Sequence, residues 1–265
     1  MPLKAVTLKA GRLRLDMLSD MIVSHYSTYF AEQYPLSMIS SGDTVLDLGA
    51  GYGDFSLLAA LRVGPSGRVI AVEPDPLAFK FLNRNIRIND IANVVPVHAA
   101  VWGHEPHPSS FRPEGTGSRL SDSGSVGVDV VTIENLAART SRIDVIKMDI
   151  EGAEDSVFRT SMPVIAHART VFVEAHSLSI RLEISSLLNK AGFATFTWNM
   201  KNVLAGVTRR VLRHPLEFLD AEYRSGFYAL GAVTRAFRGQ NPIDPRSGLS
   251  LIIATRSRAI PNVWR

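Results

Sequence analysis

Cysteine is absent from the 265 residues. That excludes a disulfide framework and any thiolate metal site. No apolar run approaches the ~20 residues that a membrane-crossing helix needs. The opening segment, Met1-Pro-Leu-Lys-Ala-Val-Thr-Leu-Lys-Ala10, lacks the charged-then-apolar order of a secretory leader. These absences together lead us to expect a cytoplasmic protein. Acidic residues are scarce toward the C-terminus. From Lys201 onward eleven Lys and Arg stand against four Asp and Glu, so this part carries +7 and residues 1–200 carry −3 of the net +4. Such a basic segment can attract phosphate, anionic lipid or an acidic substrate, or can be a solvated arginine-rich surface.

What is present is a globular composition. Hydrophobic residues make up 46% and charged residues 20%, enough to bury a core in one large α/β domain or two small ones. The chain has no internal repeat and no low-complexity tract. Alternation over Val6–Leu15, broken at Ala10-Gly11, predicts a hairpin. Asp20–Tyr34 reads as an aromatic helix closed by Pro35.

A run of alternating strand and helix signals follows. Thr44–Leu48, Arg68–Glu73, Val94–Ala100, Val128–Thr132, Ile143–Met148, Thr170–Glu174, Phe193–Trp198 and Leu249–Thr255 read as strands. Asp54–Leu61, the segment from Asp75 to about Asn89, a short stretch from Glu154, and Ser179–Ala191 read as helices. Asp75 before Pro76 is an N-cap with proline at the first helical position. The alternation predicts a mostly parallel sheet covered by helices on both faces. Ligands in such folds bind beyond the carboxyl ends of the strands.

One strand end is rich in glycine. Gly49, Gly51 and Gly53 separate a strand from a helix, where the backbone can approach a ligand and helix amides are exposed. The dinucleotide fingerprint Gly-x-Gly-x-x-Gly fails because position 54 is Asp. Glu73 ends the next strand, where a carboxylate can accept hydrogen bonds from both hydroxyls of a ribose. A capped strand end is the competing role for Glu73.

The stretch Asp47-Leu-Gly-Ala-Gly-Tyr-Gly53 with Glu73-Pro-Asp75 resembles the glycine-rich turn and acidic loop of class I methyltransferases. Three further pieces resemble the FkbM-type branch. They are Asn93-Val-Val-Pro-Val-His-Ala-Ala-Val101, Val130-Val-Thr-Ile-Glu134 and Ile143-Asp-Val-Ile-Lys-Met-Asp-Ile-Glu-Gly-Ala-Glu154. Glu174-Ala-His176 matches the acid-x-His that follows the fifth strand in that family. The resemblance spans roughly residues 43–198. It implies a Rossmann-like class I fold with a mostly parallel seven-stranded sheet and helices on both faces, and S-adenosylmethionine as donor with S-adenosylhomocysteine as product. It also implies roles. Gly49, Ala50, Gly51 and Gly53 pass under the methionine and ribose, Asp47 orients the turn, and Glu73 holds the ribose. Pro74, Ala100 and Val101 border the adenine. Residues 1–42 are then expected to cap the substrate side, and 43–265 to form the methyltransferase domain with a helical insertion at about 199–248.

Methyl transfer to a hydroxyl needs a group that takes its proton. Asp149 and Glu151 follow one strand, Glu174 and His176 another. The expectation is that His176, with its ordinary pKa of ~6.5 and assisted by Glu174, is that base. Asp149 is as well suited to binding the methionine ammonium, and Glu151 to capping a helix. Asp149, Glu151, Glu174 and His176 could also hold Mg²⁺, a less favoured expectation. Residues 201–239 read as short amphipathic helices split by Pro215 and Gly226, forming a lid, a dimer contact or a membrane-surface patch. The acceptor is expected to be a small-molecule hydroxyl, on a sugar or natural product. An RNA methyltransferase and a non-catalytic adenosyl-binding module are the alternatives. Acceptor recognition is expected in 103–127 and 199–248.

Overall fold

A computed structural model of the chain describes residues 5–103, 110–112, 119–120, 126–198, 200–224 and 250–256. The chain opens with β1 (Ala5–Ala10) and β2 (Leu13–Leu18), paired antiparallel with Ala10 opposite Leu13. The expected aromatic helix is irregular. It consists of a single α turn, α1 (Ile22–His25), which widens into a π-helical turn over Tyr26–Phe30. Four aromatic rings crowd there: His25 stacks on Tyr29 at 5.6 Å, and Phe30 meets both Tyr26 and Tyr29 at about 5 Å.

The alternating region follows as β3 (Thr44–Leu48), α2 (Asp54–Val63), β4 (Arg68–Val72), α3 (Pro76–Ile88) and β5 (Val94–Val97). Asp75 caps α3 by accepting from the amides of Leu77 and Ala78. Next come β6 (Ala100–Val101), the short strands β7 (Ser110–Arg112), β8 (Arg119–Leu120) and β9 (Val126–Gly127), then β10 (Val130–Val131) and α4 (Ile133–Ala137). The second half holds β11 (Val145–Met148), α5 (Glu154–Ile165), β12 (Thr170–Ala175), α6 (Leu178–Lys190) and β13 (Ala194–Thr197). Last are α7 (Met200–Arg213), α8 (Pro215–Arg224) and β14 (Ser250–Thr255).

Seven strands form the central sheet in the order β13-β14-β12-β11-β3-β4-β5. The pairs from β12 across to β5 are parallel, and β14 runs antiparallel to both neighbours. This is the seven-stranded Rossmann-like arrangement that the alternation and the resemblance lead one to expect. Two expected strands differ. The third stops at Val97, on the sheet edge, where Pro96 costs no ladder hydrogen bond. The segment expected at Val128–Thr132 shrinks to β10, which pairs in parallel with β6 outside the central sheet. The helix from Glu154 is longer than expected, at 12 residues. Of the insertion expected at 199–248, residues 200–224 form α7 and α8; position 199, and 225–248 with Gly226, lie outside the described residues. So does most of 103–127.

The period of two along each strand divides the core. Val45, Val69, Val145 and Phe172 face one way, onto α2 and the N-terminal segment. Leu46, Ile70, Ile146 and Val171 face the other way, onto α4, α5 and α6. Asp47 shares the first face with Val45, and Lys147 shares it with Val145. Register sets Lys147 directly opposite Asp47, so the alternation alone forces two charges together beneath the glycine turn. Among the described residues, no helix is long and apolar enough to cross a membrane.

Candidate active site

The glycine turn is built on that buried pair. Lys147 Nζ lies 3.2 Å from Asp47 Oδ1 and donates to the Gly49 carbonyl at 2.6 Å. Asp47 also accepts from the Ser56 hydroxyl of α2. Burial alone would lower the Lys147 pKa, but Asp47, Asp149, Asp54 and Glu174 outweigh it and hold the ammonium charged. Lys147 is thus a cationic post under the turn, with its Nζ 5.6 Å from the centre of the Tyr34 ring.

The three glycines do different things. A Cβ at Gly49 would overlap the Asp149 carbonyl oxygen, and one at Gly53 would strike Leu82 of α3. These two let backbone and helix pack closely. Gly51 has φ +55 and open space where its Cβ would lie. It is the member of the trio that leaves room for a ligand against the backbone. Ala50, between them, is buried.

Glu73 reaches back under the same turn. Its Oε2 accepts from the Gly51 amide at 2.7 Å and its Oε1 from the Asp75 amide at 2.8 Å. Burial raises its pKa to about 7, against the lowering effect of those two amides. Each carboxylate oxygen keeps acceptor capacity beyond its one amide. The open face at Gly51 and the acceptor at Glu73 fit the ribose end of an adenosyl donor. Pro74 is half-buried, and its carbonyl is 3.2 Å from His98 Nε2, with the His98 ring stacked on Phe79. Ala100 and Val101 are buried in β6.

Beyond the carboxyl ends of β11 and β12 lies an acidic rim. Glu151 takes φ +47 and Gly152 φ +93, a sharp left-handed turn that an ordinary side chain enters only at a cost of about 1–3 kcal/mol. The turn folds Asp149 and Glu151 toward His176. His176 Nε2 lies 3.2 Å from Glu151 Oε2 and 3.7 Å from Asp149 Oδ1. Its Nδ1 lies 2.6 Å from Oε1 of Glu154, whose other oxygen accepts from the Gly152 amide. Burial alone would lower the His176 pKa, but the hydrogen bonds that its ring donates to Glu151 and Glu154 lift it to about 11. Asp149 is held well above the usual carboxylate range, first by burial and then by the charge of Glu174.

The expected pairing of Glu174 with His176 is corrected here. The carboxylate on His176 Nδ1 belongs to Glu154. Glu174 Oε2 instead accepts from Gln33 Nε2 at 3.0 Å and from the Tyr34 hydroxyl at 3.1 Å. The end of β12 explains the difference: residues 174 and 176 lie two apart, but Ala175 is the last strand residue, so alternation no longer sets the direction of His176, whose ring meets Glu154 at the start of α5. The candidate cation cluster changes with it. The groups that could share an ion are Asp149, Glu151 and His176, without Glu174. Lys147 and Glu154 stand inside the motif, but their spacing assigned them no role. Gln33 and Tyr34 carried no sequence signal, since only the tertiary fold brings the N-terminal segment to β12.

A Rossmann-like sheet, a glycine turn with one open face, a ribose-type acceptor and an acidic rim define a class I S-adenosylmethionine-dependent methyltransferase. The family model described as the methyltransferase FkbM domain matches residues 47–194. The chain belongs to this FkbM methyltransferase family. Methyltransferase sdnD of Sordaria araneosa is 27% identical over 239 residues, covering 71% of this chain and 91% of sdnD. Hexuronic acid methyltransferase AglP of Haloferax volcanii is 23% identical, covering 72% of this chain and 87% of AglP. The crystal structure of methyltransferase FkbM from Methylobacillus flagellatus KT is 20% identical with a TM-score of 0.46, covering 65% of this chain and 44% of that one.

Proposed function

We propose that this enzyme methylates a hydroxyl of a small molecule, a sugar or natural product. The observation that carries the reading is the rim itself: four carboxylates, Asp149, Glu151, Glu154 and Glu174, against the one imidazole of His176, beside the glycine turn. An excess of negative charge suits a cationic donor and offers a proton acceptor to a hydroxyl. The relatives sdnD and AglP match over most of their lengths, and the name of AglP specifies a hexuronic acid acceptor.

S-adenosylmethionine, when bound, supplies a methyl group already activated on sulfur, so the protein chiefly binds, aligns and manages one proton. Gly51, next to the buried Ala50, leaves backbone room for the donor, and Glu73 would accept from the ribose hydroxyls. Pro74, Ala100 and Val101 border the adenine. Asp47, Gly49, Gly53 and Lys147 hold the turn, and Asp149 meets the methionine ammonium. Glu174 takes the acceptor proton, oriented by Gln33 and Tyr34. His176 stays a cation, and it positions Asp149 and Glu151 instead of serving as the base. In this reading the proton that His176 shares with Glu151 and Glu154 takes the place of a cation among Asp149, Glu151 and His176, and Mg²⁺ is not required. Residues 1–42 act as a cap on the acceptor side.

The test is incubation with donor labelled in the methyl group and cell extract, followed by separation into protein, RNA and small-molecule fractions. Label in the small-molecule fraction is expected, and label confined to RNA would overturn the reading. With the acceptor in hand, Glu174→Gln should lower kcat by about 10²-fold or more while donor affinity stays within twofold. Unchanged kcat would remove Glu174 as the base.

A further inference from the structure

The basic C-terminal segment has a specific use in the structure. Helix α7 crosses the N-terminal cap at Gly206, where a Cβ would overlap the Ala31 carbonyl oxygen. That close crossing carries Arg209, Arg210 and Arg213 over the cap and leaves a cavity of about 200 Å³ beneath them. Glu32, Thr28, Ser37 and Asn202 add further polar groups to its lining. Glu32 holds a left-handed φ of +50 and bonds both Arg209 and Arg210. The Arg210 guanidinium sits 4.4 Å from the Tyr29 ring centre, and its Nε is buried with no hydrogen-bond partner among the described residues. Three guanidinium groups therefore face one carboxylate, an excess of two positive charges around a concave space.

We propose that this cavity binds a phosphate or carboxylate group carried by the acceptor. Guanidinium forks match both groups geometrically, and the Thr28 and Ser37 hydroxyls can donate to the remaining oxygens. The volume is below the ~300–1,000 Å³ of pockets that enclose a whole drug-sized ligand. It suits one anionic group of a larger molecule. Tyr34 also lines the cavity, and its hydroxyl bonds Glu174. One side chain therefore separates the anion site from the carboxylate assigned to the acceptor hydroxyl. That placement rests on the function proposed above; the anion site itself does not.

The test reads binding without donor or methyl transfer, so its failure and the failure of the proposed function are distinguishable. Amide NMR of the full chain follows titration with inorganic phosphate and, separately, glucuronate, at constant ionic strength with chloride as reference. Saturable shifts are expected over 28–37 and 202–213. Arg213→Gln, at an exposed position that leaves the Glu32 contacts in place, should weaken binding about tenfold, while Arg139→Gln, on the exposed turn after α4, should not. Response to phosphate alone assigns a phosphorylated acceptor, and response to glucuronate alone a carboxylated one. Shifts no larger than with chloride, or equal affinity in Arg213→Gln, would overturn the site. Labelled products retained on an anion exchanger support the link to the acceptor, and label confined to neutral products overturns it.

Discussion

His176 offers the sharpest test of the site's electrostatics. Its ring is one-fifth exposed and lies between Glu154, Glu151 and Asp149. A pKa lifted from 6.5 to about 11 corresponds to a ceiling of about 6 kcal/mol at ~1.36 kcal/mol per unit. Partial exposure and the sharing of one cation among three carboxylates reduce this, and we expect about 3 kcal/mol. The perturbation is His176→Gln, which can still donate to one carboxylate but carries no charge. The folded-state pKa lies above the unfolded value. The stabilisation is therefore complete below pH 6.5 and is lost as pH rises toward 11. Urea denaturation of wild type and variant at pH 6, 7.5 and 9 measures the gap, which should be largest at pH 6 and narrow upward. The His176 Hε1 resonance should also show no titration between pH 6 and 9. Equal stabilities at pH 6, or a titration midpoint near 6.5, would refute the assignment of a permanent imidazolium and return His176 to the role of base.

Other expectations follow from the same geometry. Lys147→Met leaves Asp47 buried without its countercharge and should cost about 3–5 kcal/mol in urea denaturation. Glu73 is raised from 4.5 to about 7, so the ligand-free protein should lose up to about 3 kcal/mol as pH rises through that window. Glu73→Gln should flatten this dependence and weaken donor binding by calorimetry; an unchanged pH profile would remove the group. Gly49→Ala should abolish soluble folded protein because the Asp149 carbonyl occupies the Cβ position. Gly51→Ala should fold, at a cost of about 1 kcal/mol for its positive φ, and lose donor affinity. A chelator should leave turnover unchanged, and a loss restored by Mg²⁺ would instead place a metal among Asp149, Glu151 and His176.

Much of the fold was legible because it depends on local patterns. Thr44–Leu48 and Ile143–Met148 are apolar runs that end in polar residues, and Asp75-Pro76 is a helix start whose cap the structure contains. The irregular helix after Asp20 was not legible as such, because ring packing among His25, Tyr26, Tyr29 and Phe30 widens it against its own periodicity. The short β6–β10 ladder escaped for a related reason. Val128–Thr132 read as a strand, but β6 and β10 hold two residues each, too short for their separate pairing to show.

The sequence by itself determined the order of strands and helices, the glycine turn, the acid at Glu73 and the acidic motif after β11, because each is a feature of adjacent residues. Tertiary structure decided how those residues divide the work. Register between β3 and β11 put Lys147 against Asp47. The left-handed turn at Glu151 and Gly152 gave His176 to Glu154, and the N-terminal segment claimed Glu174 through Gln33 and Tyr34. Partners 22, 100 or 140 positions apart leave no trace in local spacing, and a group's proton affinity follows from those partners and its burial.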